Sequence, residues 1–159
     1  MNHTPADEQP PELLQTLRER EKELNCLYRV EELLASSNSS LDGLFREIIA
    51  AIPSGWRFPE SCQARIVYDG VVYASPDFKP TRWTESAPIP AGERVVGSLE
   101  ISYLSEVPPS HEGVFLEKER KLLRTIADRI GLTLQHRTLE KRLGQQQAST
   151  PEWLALVDA

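Results

Sequence analysis

The residue types best suited to metal ligation or nucleophilic catalysis are scarce in this chain and widely spaced. Its three histidines are His3, His111 and His136, and its two cysteines are Cys26 and Cys62. A metal site needs several such ligands at short intervals, and a catalytic cysteine needs a histidine beside it. Neither spacing occurs, and the sequence has no glycine-rich phosphate loop. We therefore expect no catalytic centre, no metal site and no cofactor, which predicts a protein that is not an enzyme.

A second group of residues has the chemistry of ligand recognition. Arg65 and Glu100 fall on strand-like segments and oppose each other if those strands are neighbours. They form either a cross-strand ion pair or a site in which the arginine recognises an anion. Three aromatic residues, Tyr73, Phe78 and Trp83, follow in the same region. They are either a small cluster that covers the sheet edge or, with Arg65 and Glu100, the lining of a shallow ligand site.

Two β-hairpins must position these side chains. The pair Asp69-Gly70 separates the β-branched runs 64–68 and 71–74, which is the strongest short-range hairpin pattern. A second hairpin starts near residue 82 and turns at 90–93, and the proline at position 88 favours an edge strand for its first arm. The two hairpins predict an antiparallel sheet of four to five strands.

The strand that follows the second turn shows which sheet face is buried. Apolar and polar residues alternate along 95–103, so one face is expected to pack against other elements while the other stays mostly polar. The residues expected on the buried face are Val95, Leu99, Ile101 and Tyr103.

Helices are predicted before and after the sheet. A long helix spans about 12–36 and a shorter one spans 41–52, whereas the last helix begins near residue 115 and continues to about residue 143. Each carries apolar residues at three- and four-residue spacing, which is typical of a helix with one buried face. Helices packed on one face of an antiparallel sheet give an α+β fold.

The terminal helices carry more apolar residues than one sheet face can cover. A partner helix is the natural cover for such a stripe, so we expect a homodimer in which the first and last helices of two copies form a bundle. The residues expected at this interface are Leu17, Leu24, Leu27, Leu34, Leu123, Ile126 and Ile130.

Taken in order, these segments resemble the GAF domains, a family of small sensory and regulatory modules. Val96–Ile101, with a glycine in second position, resembles the family's last central strand. Phe115–Ile130, with the pattern L-L-x-x-I-A-x-x-I, resembles its final helix, and Leu24–Val30 and Leu41–Ile52 resemble its first helices. The resemblance covers about residues 24–136. It implies a GAF-like, PAS-related sheet with the N- and C-terminal helices bundled on one face.

The resemblance also implies a function. It indicates a non-catalytic sensory or regulatory module that passes a signal to a fused or associated effector, either a histidine kinase or a phosphoenolpyruvate-synthase-like enzyme. Ligand-binding relatives have a long segment between the second and third strands, whereas this chain has only about residues 75–81 there. We therefore expect no cyclic nucleotide or bilin. The alternative function is binding of a small metabolite or anion through the Arg65 and Trp83 face.

The charge and the apolar pattern of the chain exclude further classes of protein. The chain has 159 residues and a formal net charge of -6, and its basic residues are mixed with acidic ones, which disfavours nucleic-acid binding. No apolar run approaches the roughly 20 residues that a membrane-spanning helix needs, and the N-terminus has no secretory pattern. We expect a cytoplasmic protein with no membrane contact.

The organisation expected along the chain has three parts. Residues 1–11 contain three prolines and are expected to be a disordered leader. Residues 12–143 form the GAF-like domain with its terminal signalling helices, and residues 144–159 are a linker and the start of a following segment.

Overall fold

A computed structural model describes residues 11–36 and 40–148. The expected leader lies outside the described residues except for Pro11, which begins the first helix. The expected C-terminal segment also lies outside them from residue 149 onward. The last helix ends at Ala148 rather than near residue 143, because the glutamines that follow Gly144 are good helix formers.

The sheet has four antiparallel strands. They are β1 (Cys62–Tyr68), β2 (Val71–Ala74), β3 (Thr84–Ala91) and β4 (Arg94–Tyr103). Their order across the sheet is β2-β1-β4-β3, so β1 and β4 are central. The α+β class and the four-stranded antiparallel sheet are therefore confirmed.

Both predicted hairpins are present. Asp69 and Gly70 adopt positive φ values of 52° and 77°, which the tight turn between β1 and β2 requires. The strand β3 carries Pro88 and lies at the sheet edge, as expected for a residue that cannot donate a ladder hydrogen bond.

Three α-helices cover one face of this sheet. They are α1 (Pro11–Ala35), α2 (Leu41–Ala51) and α3 (Glu117–Ala148). The helix α2 packs on β1 and β2, and α3 packs on β3 and β4. The helix α1 packs mainly on α2, on α3 and on the 3₁₀ turn Ile52–Gly55, so it forms an outer layer. No helix among the described residues is long and apolar enough to cross a lipid bilayer.

A β-bulge in β4 changes the predicted buried face. Leu99, Ile101 and Tyr103 are fully buried, but Val95 is 67% exposed, so its prediction as a core residue is wrong. Ile89 pairs with Gly97, and Pro90 pairs with Val95, which leaves an extra residue in β4. Before the extra residue, the side chains that the alternation places on the buried face point to the other face of the sheet, and Val95 is one of them.

The hydrophobic core contains three residues that were expected at a dimer interface. Leu123, Ile126 and Ile130 are 1%, 0% and 0% exposed, and they belong to the cluster that joins the helices to the sheet. Their side chains are covered by their own subunit and leave no surface for a partner to contact. Their prediction as interface residues is therefore wrong, because this stripe of α3 is needed to cover β3 and β4.

The helices α1 and α3 run side by side in the same direction. Glu31 of α1 forms an ion pair with Arg129 of α3 at 3.4 Å, and Arg137 donates to the Ser36 carbonyl oxygen. Residues 11–18 of α1 are all exposed, as are residues 138–144 of α3. Each helix thus extends past its neighbour, α1 at one end of the pair and α3 at the opposite end.

A glycine in α3 sets the distance between this helix and the sheet. A Cβ added at Gly131 would lie 1.7 Å from the carbonyl oxygen of Pro90 in β3. Replacing Gly131 by alanine should lower the free energy of unfolding by about 1–3 kcal/mol, because the helix must move away from the strand. Urea denaturation measures the change.

Gly144→Ala is the matched control, since it lies in the same helix and its added Cβ meets nothing within 4 Å. The control should be neutral or stabilising by up to about 1 kcal/mol. Equal stability of the two alanine variants would contradict a close contact at Gly131.

Candidate functional site

The polar face of the sheet carries the predicted ion pair. Arg65 of β1 and Glu100 of β4 are direct cross-strand partners, and the Arg65 Nε donates to the Glu100 Oε2 at 2.8 Å. The Arg65 Nη2 donates to the same oxygen. Their side chains are 28% and 20% exposed, so the pair is partly screened from water. The guanidinium is thereby engaged by the chain's own carboxylate.

The loop between β2 and β3, residues 75–83, folds over the same polar face. The buried side chain of Gln63 holds this loop, since its Oε1 accepts from the Lys79 backbone N–H at 3.0 Å and its Nε2 donates to the Lys79 carbonyl oxygen. The same Nε2 donates to the Ser102 hydroxyl at 2.9 Å. The ring of Phe78 lies 4.8 Å from the guanidinium carbon of Arg65. The loop therefore packs against the Arg65 side of the ion pair.

The five residues predicted to form a ligand site are not all together. Arg65, Phe78 and Glu100 meet on the polar face, but Tyr73 points to the opposite face. Its ring centroid is 5.0 Å from that of Phe45, and its hydroxyl donates to the Asp42 Oδ1 at 2.6 Å. The partly buried Trp83 packs against the hydrophobic core. A single patch of the three aromatic residues is therefore not formed.

A buried polar cluster at the start of α3 was not predicted from the sequence. Glu119 is 2% exposed. Its Oε1 accepts from the Leu116 N–H at 2.8 Å, and its Oε2 accepts from the Arg57 N–H at 2.8 Å. The hydroxyl of Tyr103 also donates to Oε2, at 3.2 Å. The spacing of Leu116 and Glu119 is that of a helix N-cap contact, which was the available signal.

The surroundings of Glu119 raise its pKa, and the pKa of the neighbouring Tyr103 is raised as well. Burial raises the pKa of the Glu119 carboxyl, and the backbone hydrogen bonds and Arg57 oppose this change only in part. Burial and the nearby Glu119 carboxylate together raise the pKa of Tyr103. Donors surround both carboxylate oxygens, so the cluster is suited to fixing the start of α3 to the chain that precedes β1.

Both cysteines are free and buried. The Cys26 thiol donates to the Ile52 carbonyl oxygen at 3.4 Å, and burial raises its pKa to about 11. Burial also raises the pKa of the Cys62 thiol. Such thiols are seldom ionised and behave as small apolar side chains.

The part of the chain that the structure describes contains no group of three or more histidine, cysteine, aspartate or glutamate residues placed to hold a metal ion.

Comparison with protein-family models, with curated proteins and with solved structures gave no match.

The raised pKa of Glu119 predicts a pH dependence of stability. The folded protein holds this proton more tightly than the unfolded chain, where the pKa is near 4.5. The free energy of unfolding contributed by this group should therefore fall as pH rises above that value, until the carboxyl is ionised in the folded state. Glu119→Gln should remove this slope, and denaturant titrations at a series of pH values measure it.

Glu117→Gln, an exposed neighbour in the same helical turn, serves as the control and should keep the slope. A stability advantage of the native chain over Glu119→Gln that grows with rising pH would contradict the assignment.

The buried thiols predict resistance to alkylation. Iodoacetamide at pH 8 should leave Cys26 and Cys62 unmodified in the folded protein, because both thiols are covered and protonated. Both should react fully in guanidinium chloride. Mass spectrometry before and after unfolding distinguishes the two states, and rapid labelling of the folded chain would refute this expectation.

Proposed function

We propose that this chain is a non-catalytic sensory or regulatory module of GAF-like fold that dimerises through outward faces of its terminal helices. The observation that carries the proposal is an exposed apolar stripe on α1, on the face opposite its core contacts. The module passes a signal to a fused or associated effector and works in the cytoplasm. The four-stranded antiparallel sheet with helices on one face supports the GAF-like part of the proposal.

The stripe on α1 has the spacing of one helix face. Leu13, Leu17, Leu24 and Tyr28 are four, seven and four residues apart, and they are 46%, 52%, 47% and 65% exposed. The buried residues of the same helix are Cys26, Val30 and Leu33. With 3.6 residues per turn, the two sets point in nearly opposite directions. The helix thus has one apolar face for its own core and another for a partner.

The helix α3 has a similar second face. Leu132, Leu139 and Leu143 are seven and four residues apart and more than half exposed, on the side away from its core residues. Leu17 and Leu24 of the predicted interface keep their place in this corrected surface. Leu27 and Leu34 are partly buried against the core and lie at the border of this surface. We call this surface, formed by Leu13, Leu17, Leu24, Tyr28, Leu132, Leu139 and Leu143, the outer stripe.

The energetics favour sharing the outer stripe between two copies. Full burial of a completely exposed leucine contributes roughly 1.5–3 kcal/mol. The leucines of the outer stripe are 46–59% exposed, so each contributes about half of that value, and several from each copy together offset part of the entropy lost on association. A symmetric arrangement doubles each contact, since the same residues of both copies take part.

The path of the signal follows from the two overhanging helix ends. The helix α1 enters at one end of the helix pair, and α3 leaves at the other end. A change in how two copies pack at residues 11–18 is thereby passed along rigid helices to residues 138–144. The proposed effector is a histidine kinase or a phosphoenolpyruvate-synthase-like enzyme, fused after α3 or associated with the module.

The alternative function, metabolite binding on the polar sheet face, is less favoured by the contacts there. Arg65 is engaged by Glu100, and the loop that carries Phe78 and Lys79 packs against Arg65 and is held by Gln63. A ligand on this face would have to displace that loop and break the hydrogen bonds of Gln63.

The dimer proposal predicts the effect of charge on the outer stripe. The double variant Leu17→Glu/Leu24→Glu should be folded but monomeric, because both side chains are exposed in a single subunit and would be buried between two. The measurement is sedimentation at high micromolar concentration, where the native chain should be a dimer.

Val95→Glu is the control, since Val95 is also an exposed apolar residue but lies on the sheet. It should leave the dimer intact. Ile130→Glu should instead prevent folding, because Ile130 is a core residue. A native chain that remains monomeric at this concentration would overturn the dimer proposal.

A further inference from the structure

A groove between α1 and α3 lies apart from the polar face of the sheet. It is formed where the middle of α1 meets the first turns of α3, and its volume is about 340 Å³. This is close to the lower limit of pockets that hold small ligands. Its apolar lining comes from Leu24, Leu27 and Leu122. The groove is therefore large enough for a short aliphatic chain.

The polar lining of this groove is mostly cationic. Its charged residues are three cations, Arg20 from α1 and Lys118 and Lys121 from α3, and one acid, Glu23. Within the described part of the chain, the side chains of these three cations make no hydrogen bond or ion pair. The groove thus holds an excess of positive charge beside an apolar surface.

The state of Glu23 supports a site that is partly shielded from water. Burial is the main cause that raises the pKa of its carboxyl, with Glu119 and Glu19 adding to the effect. Lys118 and Arg20 oppose it. Glu23 is thus half-buried, whereas Arg20, Lys118 and Lys121 are exposed at the rim of the groove.

We propose that this groove binds a small amphiphilic anion, namely a carboxylate on a short alkyl chain. The alkyl chain covers the leucines, and the carboxylate lies among the three cations. A small hydrophilic anion would leave the leucines in contact with water, and a neutral chain would leave the positive charge that exceeds Glu23 without a counter-charge. Because Arg20 comes from α1 and the lysines from α3, the ligand joins the two helices.

The experiment uses the full chain and octanoate below its micellar concentration. Calorimetric titration should show saturable binding, and the thermal unfolding temperature should rise with octanoate concentration. Acetate has the charge without the chain, and octanol has the chain without the charge. Both should bind at least about tenfold more weakly, because each lacks one of the two interactions.

Two double variants of α3 with the same change in net charge locate the site. Lys118→Gln/Lys121→Gln removes two groove cations, and Lys141→Gln/Arg142→Gln removes two cations near the opposite end of the helix. All four residues are exposed, so both variants should fold. The first should weaken octanoate binding about tenfold, and the second should leave it unchanged.

Octanoate that fails to bind saturably would overturn the proposal, as would equal binding of octanol or equal weakening by the two double variants. The oligomeric state is measured by sedimentation in the same samples. A monomeric chain that binds octanoate in this manner would sink the dimer proposal and leave the groove assignment standing.

Discussion

The packing of α3 against the sheet is the contact on which the rest of the molecule depends. One stripe of α3 closes the core over β3 and β4, and two specific features hold it in place. Glu119 ties the first turn of the helix to the Arg57 backbone, and Gly131 brings its middle against the Pro90 carbonyl. Because this stripe is used within the subunit, the dimer proposed above uses the opposite side of the helix. The helix α1 lies outside this core, and part of its seam with α3 is a groove rather than a close contact.

Periodicity in the sequence predicted the helices and strands well, but it predicted less well which of them pack against each other. The Asp69-Gly70 turn, the edge position of β3 and the three helices all follow from local patterns, because turn and helix geometry depend on nearby residues. The apolar stripe of Leu123, Ile126 and Ile130 was equally visible, but a stripe does not say what covers it. Val95 was misplaced because a bulge is a non-local feature of strand pairing.

The candidate ligand residues show the same limit. Arg65 and Glu100 were paired only on the condition that their strands are neighbours. The two hairpins fix the pairs β1–β2 and β3–β4, whereas the contact between β1 and β4 that brings Arg65 opposite Glu100 is non-local. Tyr73 and Phe78 were grouped by nearness in sequence, yet one follows the strand alternation toward the core and the other lies in a loop over the opposite face. The path of that loop depends on the Gln63 side chain, a polar residue buried by contacts that no local pattern encodes.

The parallel course of α1 and α3, with free ends at opposite poles, has a consequence for any larger architecture. From the start of α1 to the end of α3 the helix pair spans roughly 60 Å at 1.5 Å per residue. A domain joined directly to the start of α1 and another joined directly to the end of α3 would have attachment points separated by about that length. The module would then act as a spacer of fixed polarity, and tandem copies would add length in one direction rather than fold back on each other.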